Sequence, residues 1–489
     1  ETNFPDITDD LIGKCLVEFD GNPDMILLDS AGHMGYVEFN YVINRLYGEC
    51  HIVLDDIKHI KHHRSFQKIK TDPRFTLLTA SDEKFGFCIA RFTPSRLPLA
   101  NDIRKILWIR TDSIGDAVLA MSMLPHVKEK YPQARITVLC QDHIAELYET
   151  CPHTDNIITF NRSQSMNNEE YRQSILNELQ AVQADICINS VYSRDVLSDY
   201  FALSSGSGTT IALNGDISNM SAKELTIINE KYTLIIPSPG QFRQELQRHR
   251  DLLSGLEIKS ADLDLSLPLT ESDFSFADKI LALHGLVPNQ TIILFAGAQY
   301  EVRLYDHYGE ALSNLCKENG FSVVALGTSK DFIINQRNLR ATGVRCVNLS
   351  GKLSLRQSAA LISRCRLAVG AETGLAHIAC AVNTPNIILL GGGHFGRFMP
   401  YSPLTSAVSL PLECFGCNWK CRYNQTHCIR GIRPEVLSEA ILETLYETYQ
   451  SPRIFVQSAS SWQPGAGIPN YADIGGWANF TSAKIIGVS

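Results

Sequence analysis

Four cysteines, Cys414, Cys417, Cys421 and Cys428, fall within fifteen residues in the spacing C-x2-C-x3-C-x6-C. Four thiolates so close together suit a tetrahedral metal site, with zinc the default ion on chemistry alone. The other reading is two disulfides, which a reducing compartment disfavours. If protein fills all four positions, the ion is expected to be structural rather than catalytic. Most of the remaining cysteines, such as Cys140, Cys187, Cys316, Cys365 and Cys380, are scattered through apolar strand and helix patterns. These read as small buried hydrophobes.

Two further stretches carry residue types fit for chemistry. In RTDSIGDAVLAMSMLP (110–125), Ser113 and Gly115 form a strand-to-helix turn, and Asp116 stands in the first turn of the helix that follows. Such a turn lets backbone approach a ligand and presents free helix N–H groups. Asp116 has two readings: a helix cap satisfying the macrodipole, or a general base for an acceptor hydroxyl. In AVGAETGLAHIACAVNTPNIILLGGG (368–393), a strand ends in Glu372, and Thr373, Gly374 and Leu375 open a helix that carries His377. A hydroxyl, a glycine and a helix N-terminus at a strand's carboxyl end form a cradle for a diphosphate. His377 alone reads equally as a buried core histidine.

The elements that must position these residues alternate in the α/β manner. Strands are predicted at 105–110, 135–140, 156–160 and 185–189, with amphipathic helices at 116–130 and 169–183. After a loop-like stretch at 266–290, a second series runs through strands at 291–297, 322–328, 366–372 and 386–393. Its helices are expected at 305–319, 354–365 and 375–382. Two such series predict two doubly wound domains, 101–275 and 285–448. A shorter α/β unit precedes them, with strands at 25–32 and 50–56, a helix at 36–47 and a hairpin within 75–97. It gives a first domain of 1–100, while 449–489, rich in Gly, Ser, Pro and Trp, has no assignable period.

Of 489 residues, 44% are apolar and 20% charged, with a net charge of −8. That balance gives no electrostatic reason to expect nucleic acid. No apolar run reaches the roughly 18 residues of a membrane span, and the start shows no secretory signal pattern, so a cytoplasmic protein is expected.

The loop RTDSIGDAVLAMSMLP, the stretch GAQYEVRLY (297–305) and the motif GAETGLAHIACAVNTPNIILLGGG resemble, in order, the ADP-heptose heptosyltransferases of glycosyltransferase family 9. The resemblance spans about residues 104–440. GGGHFGRFMPYS (391–402) and CFGCNWKC (414–421) are similar to one branch, the autotransporter heptosyltransferases, which glycosylate protein hydroxyls. The resemblance implies a GT-B fold, two Rossmann-like domains facing a cleft, and an inverting transfer from an ADP-heptose-like donor. It implies Asp116 as the catalytic carboxylate, and Thr373, Gly374, Leu375 and His377 as the diphosphate-contacting turn. Arg303 falls where the family carries a basic residue, and Glu372, Gly392 and Gly393 join the donor-binding set. In two places the chain departs from the lipopolysaccharide enzymes: Glu372 stands for their Asp and Arg303 for a Lys. For the four cysteines the branch implies iron, with zinc the alternative. A protein acceptor such as an autotransporter is implied, and a homo-oligomer is admitted.

Three rival functions remain: a lipopolysaccharide-core heptosyltransferase, a catalytically inactive, metal-stapled scaffold, and a fragment of a bifunctional methyltransferase–glycosyltransferase. Residues 24–97 resemble the second half of a class I methyltransferase, without its cofactor-binding half. Asp29, Asp55 and Asp56 would sit at strand ends where such enzymes hold a divalent ion. They read here as acidic strand ends beside turns, and the run KHIKHHRS (58–65) as a solvated helix face or partner contact.

Overall fold

The computed structural model describes residues 11–19, 23–29, 34–43, 45–46, 48–72, 74–93, 97–98, 100–240, 243–259, 263–398, 402–447, 452–457 and 483–486. Residues 399–401 of GGGHFGRFMPYS and most of the tail 449–489 lie outside them. The chain divides into two compact units, 1–97 and 98–489.

In the first unit, strands β1 (Met25–Leu28), β2 (Cys50–Asp55), β3 (Phe75–Ser81) and β4 (Phe87–Phe92) form one sheet in the order β1-β2-β4-β3. β1 and β2 are parallel, joined through the helix Gly35–Ile43, while β4 pairs antiparallel with β2 and β3. Phe39, Val42 and Ile43 on that helix pack with Ile52, Leu54, Ala90 and Phe92 of the sheet.

The second unit holds two parallel sheets. The first contains β5 (Lys105–Ile109), β6 (Arg135–Gln141), β7 (Asn156–Phe160), β8 (Ile186–Asn189), β9 (Thr209–Leu213) and β10 (Leu234–Ile236), in the order β10-β9-β8-β5-β6-β7. The second runs β13-β12-β11-β14-β15-β16-β17-β18. Its strands are β11 (Thr291–Phe295), β12 (Ser322–Ala325), β13 (Cys346–Asn348), β14 (Leu367–Ala371), β15 (Asn386–Leu389), β16 (Thr405–Ser409), β17 (Arg453–Gln457) and β18 (Ala483–Ile486). Each sheet therefore begins in its middle, builds one flank, then returns to build the other. This is the doubly wound order, and it opens a crevice outside the strand ends where the winding reverses. The crevices lie between β5 and β8 and between β11 and β14. β8, β9, β11, β14, β15 and β16 are buried at every residue, as strands covered by helices on both faces must be.

The structure revises several sequence expectations. The helix expected at 116–130 is two, Ile114–Met121 and Leu124–Lys130, because Pro125 is accepted in a first turn but not in a helix interior. The stretch 266–290 is not a loop. It contains the helix Glu271–Leu283, opened by a capping box between Thr270 and Asp273. The first strand ends at Leu28 rather than 32, and the helix predicted at 36–47 spans Gly35–Ile43. β9, β10, β13 and β16 were not separated as strands, and β17 and β18 come from the tail left without assignment.

The strand ends that face the crevice of the second sheet are tied together by one buried amide. Asn335, on the helix Phe332–Thr342, accepts from the Ala296 N–H at 3.1 Å beyond β11. Its Nδ2 donates to the Leu326 carbonyl at 2.9 Å beyond β12 and to Ser350 Oγ at 2.8 Å beyond β13. Removing it leaves buried polar groups unpaired, at roughly 1–3 kcal/mol for each. We predict that Asn335→Ala lowers the unfolding temperature by about 5 °C or more, read by circular dichroism. An unchanged melting curve would show that this amide does not hold the strand ends together.

Candidate active site

β5 delivers Arg110, a fully buried arginine, to the crevice of the first sheet. Its guanidinium pairs with Asp112 at 2.8 Å and with Asp116 at 3.6 Å, and donates to the Ser190 carbonyl beyond β8. Burial opposes its charge, but Asp112 and then Asp116 hold its pKa above the ordinary value. The loop is pinned from β6, where Gln141 Nε2 donates to the carbonyls of Thr111 at 3.1 Å and Asp112 at 2.7 Å. The N-cap of the helix Ile114–Met121 is Ser113, which makes no capping bond, and its hydroxyl donates to the Asp116 carboxylate instead. Asp116 is thus not the helix cap. It lies two residues past the first helical position, oriented by Ser113 and Arg110.

β14 delivers Glu372, 5% exposed, to the crevice of the second sheet. Burial raises its carboxyl pKa, Arg303 opposes the rise and Asp116 adds to it. Thr373 is the N-cap of the helix Gly374–Ala381, again with no capping bond from its hydroxyl. Leu375 is half-buried in the first turn. His377 is 5% exposed, and burial lowers its pKa to about 4 against the opposing charge of Asp116. Arg303, at the end of the short turn Glu301–Arg303, donates to the Glu372 carbonyl at 3.4 Å.

The two walls meet helix tip to helix tip. A Cβ on Gly115 would lie 2.4 Å from His377 Cδ2, and one on Gly374 would lie 2.8 Å from Ile114 Cβ. Neither glycine has a positive φ, so it is the close approach, not a torsion, that requires them. The structure therefore brings Ser113, Gly115 and Asp116 together with Arg303, Glu372, Thr373, Gly374, Leu375 and His377. A carboxylate, a guanidinium and a free helix N-terminus share one cleft. That set can take a proton on one side and hold an anion on the other.

Gly392 and Gly393 sit differently. Their carbonyls accept from the N–H groups of Gly416 at 2.8 Å and Asn418 at 3.1 Å. Added Cβ atoms would lie 2.3 Å from the Phe415 ring and 2.2 Å from the Trp419 ring. The Gly392 N–H points to Cys428 Sγ at 3.5 Å. Burial pushes the Cys428 thiol up to about 12, the Gly392 N–H opposes this, and the charges of Cys414, Cys417 and Cys421 add to it. The four thiols are thus neighbours, but they do not converge to ligand distance. Among the described residues, the group whose ligand atoms all lie within 4.8 Å of one another is Asp29, Asp55 and Asp56, in the first unit. There Lys61 pairs with Asp29, and with Asp56 at 3.2 Å, placing an ammonium among the carboxylates. In the run 58–65, His62 is fully buried against Gly35, which corrects the reading of a wholly solvated face.

Sequence reasoning missed Arg110 and Arg397. Arg397 donates to Ser193 Oγ at 2.8 Å and to Glu245 at 3.2 Å, and pairs with Asp216 at 3.6 Å. Burial opposes its charge, but Glu245 and Asp216 hold it. Arg110 carried a local signal, as the last residue before the glycine turn. Arg397 carried none, because its partners lie 152 or more residues away.

The sequence profile of glycosyltransferase family 9 (heptosyltransferase) matches residues 172–427. The lipooligosaccharide heptosyltransferase 2 of Haemophilus ducreyi is 26% identical over 298 residues, covering 58% of this chain and 81% of that protein. A family 9 glycosyl transferase structure from Veillonella parvula superposes with a TM-score of 0.60 at 17% identity, over 72% of this chain and 100% of that one. The ADP-heptose lps heptosyltransferase II of Escherichia coli gives a TM-score of 0.56 at 20% identity, over 70% and 98%. These likenesses show the GT-B fold of two Rossmann-like domains. Among the described residues, no helix is long and apolar enough to cross a membrane.

The depressed His377 has a consequence for stability. Its folded pKa of about 4 lies below the ordinary 6.5, so the unfolded chain binds its proton first. Stability from this group is complete above pH 6.5 and falls as pH drops toward 4, by up to ~1.4 kcal/mol per pH unit. We predict that the melting temperature of the protein falls more steeply between pH 6.5 and 5 than that of His377→Gln. Parallel profiles would place an ordinary histidine there.

Proposed function

The chain belongs to glycosyltransferase family 9, the heptosyltransferases, and on that premise we propose that it transfers heptose from ADP-heptose to a protein hydroxyl, with Asp116 as general base. What carries this reading is the meeting of Asp116 with the turn Glu372–His377 through Gly115 and Gly374. The acceptor oxygen attacks the anomeric carbon from the Asp116 side and passes its proton to that carboxylate. The bond from the anomeric carbon to the phosphate oxygen breaks on the opposite side, inverting the centre. The departing diphosphate gathers negative charge, which the Arg303 guanidinium, the Thr373 hydroxyl and the N–H groups of Gly374 and Leu375 stabilise. Burial raises the Glu372 carboxyl pKa, and the Arg303 guanidinium beside it opposes the rise.

The protein acceptor is supported by GGGHFGRFMPYS and the cysteine loop, which resemble the autotransporter branch. The competing acceptor, a lipopolysaccharide core, is favoured by the names of the curated relatives. Incubation with ADP-heptose and each acceptor in turn separates the two: mass spectrometry should find the sugar on the autotransporter peptide, and sugar on the oligosaccharide alone would reverse the assignment.

Asp116→Asn tests the base. Asn keeps the shape, and Asp112 still pairs with Arg110, so folding should be unchanged. Transfer should fall about 10²–10⁴-fold, the usual range for losing a general base. Activity within a few-fold of the parent enzyme would leave Asp116 a purely electrostatic partner of Arg110.

Cys414, Cys417, Cys421 and Cys428 would hold iron, with zinc the alternative. The donor set is the soft, four-thiolate kind, and the Gly392 N–H bond to Cys428 is the outer support that thiolate ligands use. A bound ion would neutralise the thiolates and cross-link the loop, and no step of the transfer runs through it. The sulfurs lie too far apart for ligation as they stand, so binding would tighten the loop. We predict about one metal ion per chain by elemental analysis of reduced protein, lost together with thermal stability in Cys421→Ser. A metal-free parent protein with the same stability would remove the site.

A further inference from the structure

We infer that Trp419 is a positioning residue for the donor: its indole holds the Arg303 guanidinium at the diphosphate turn. The inference rests on the reading of Arg303 as a donor ligand. The Arg303 guanidinium carbon lies 4.7 Å from the centroid of the Trp419 ring, and its Nη1 reaches the Glu372 carbonyl at 3.4 Å. Arg303 Nε is buried with no hydrogen-bond partner among the described residues. The Tyr300 ring lies farther, at 5.9 Å, so the guanidinium is oriented chiefly by the nearer Trp419 face and the Glu372 carbonyl, and a tryptophan offers the best such face.

The indole itself is held from several sides. Its Nε1 donates to His394 Nδ1 at 3.4 Å, and His394 Nε2 bonds Asn418 Oδ1 at 2.5 Å. The Asn418 N–H reaches the Gly393 carbonyl at 3.1 Å. Asn418 and Trp419 both have left-handed backbones, with φ of 49° and 59°, a conformation a tryptophan keeps only when its surroundings impose it. The ring occupies the room that the missing side chains of Gly391 and Gly393 leave beyond β15. β15 pairs with β14, which carries Glu372. The path therefore runs from the glycine triad to Trp419, to Arg303, and back to the turn that receives the phosphates. Gly391 and Gly393 thus act on the donor through the indole they seat, while Gly392 makes room for Phe415. The cysteine loop is the second layer of the donor site, because Trp419 lies between Cys417 and Cys421.

A mere plug over the glycines would need bulk but no π face, and the experiment separates the two roles. ADP affinity is measured by calorimetric titration for the parent protein, Trp419→Leu, Trp419→Phe, Arg303→Ala and the Trp419→Leu/Arg303→Ala double variant. Leu keeps apolar bulk above the glycines and removes the π face. Trp419→Leu should weaken ADP binding by about 3–30-fold, the range of a partly desolvated cation–π contact. Trp419→Phe should recover most of that loss. In the Arg303→Ala background the Leu substitution should change affinity by less than about twofold, since there is no guanidinium left to position. With a working acceptor, Trp419→Leu should lower kcat/KM for the donor, and that loss should vanish in the Arg303→Ala background. Equal losses in both backgrounds, or Trp419→Leu binding as tightly as the parent, would overturn the inference while leaving Arg303 a donor ligand. Arg303→Ala binding ADP like the parent would sink the donor assignment itself, and this inference with it.

Discussion

The second unit depends on one steric fact: two helix tips touch because neither has a side chain at the point of contact. Gly115 leaves room for the His377 ring, and Gly374 leaves room for Ile114. A methyl group at either position would overlap atoms of the facing wall, and protein interiors have little slack to absorb it. Because the overlap is steric, a branched residue at Gly374 harms the site by parting the helix tips rather than by straining the backbone. The same contact sets Asp116 and the turn Glu372–His377 across one narrow gap. The proposed transfer uses that arrangement, with Asp116 as the base on one side and the turn Glu372–His377 as the anion cradle on the other.

Closing the gap concentrates charge where water is scarce, and the rest of the unit is arranged to tolerate that. Arg110 is buried and Arg397 half-buried, each guanidinium shared by two carboxylates, Asp112 and Asp116 for the first and Asp216 and Glu245 for the second. An unpaired charge there would cost several kcal/mol, whereas shared pairs roughly offset their desolvation. The pairing also spans the two sheets. Arg397, from the second, is held by Ser193, Asp216 and Glu245 of the first, and its carbonyl accepts the Glu245 N–H at 2.8 Å. On another edge, Glu146 accepts from the Leu355 N–H at 2.7 Å and from the Ser354 hydroxyl, capping a helix of the second sheet from the first. These polar anchors can release and re-form in water more readily than an apolar seam, which suits two domains that must admit a donor and an acceptor in turn.

The sequence revealed those parts of this design that local rules govern. Both catalytic-side loops were readable because a buried strand, a glycine turn and a helix start are neighbours in the chain, and the periodicity changes at each. The doubling of the series likewise follows from local patterns. Long-range contacts left no such trace. Nothing around Trp419 announces that its ring reaches Arg303, 116 residues earlier, and Arg397 looked like one more basic residue in a glycine-rich stretch. Gly392 and Gly393 were placed in the donor-binding set by family resemblance; the structure adds that the room they leave is filled by Phe415 and Trp419. The helix Glu271–Leu283 was missed despite its Thr270–Asp273 capping box, because the polar first turn masked the apolar period.

The cysteine loop gains its place from the same logic of missing side chains. Three consecutive glycines after β15 make a floor that only a large planar group can fill well, and the loop supplies Phe415 and Trp419. A metal held by the four thiols, as proposed above, would cross-link this loop to the short helix His427–Arg430, which carries Cys428. Asn418 and Trp419, held in left-handed conformations between Cys417 and Cys421, are where that restraint acts. Trp419, between Cys417 and Cys421, places the cysteine loop one side chain away from Arg303.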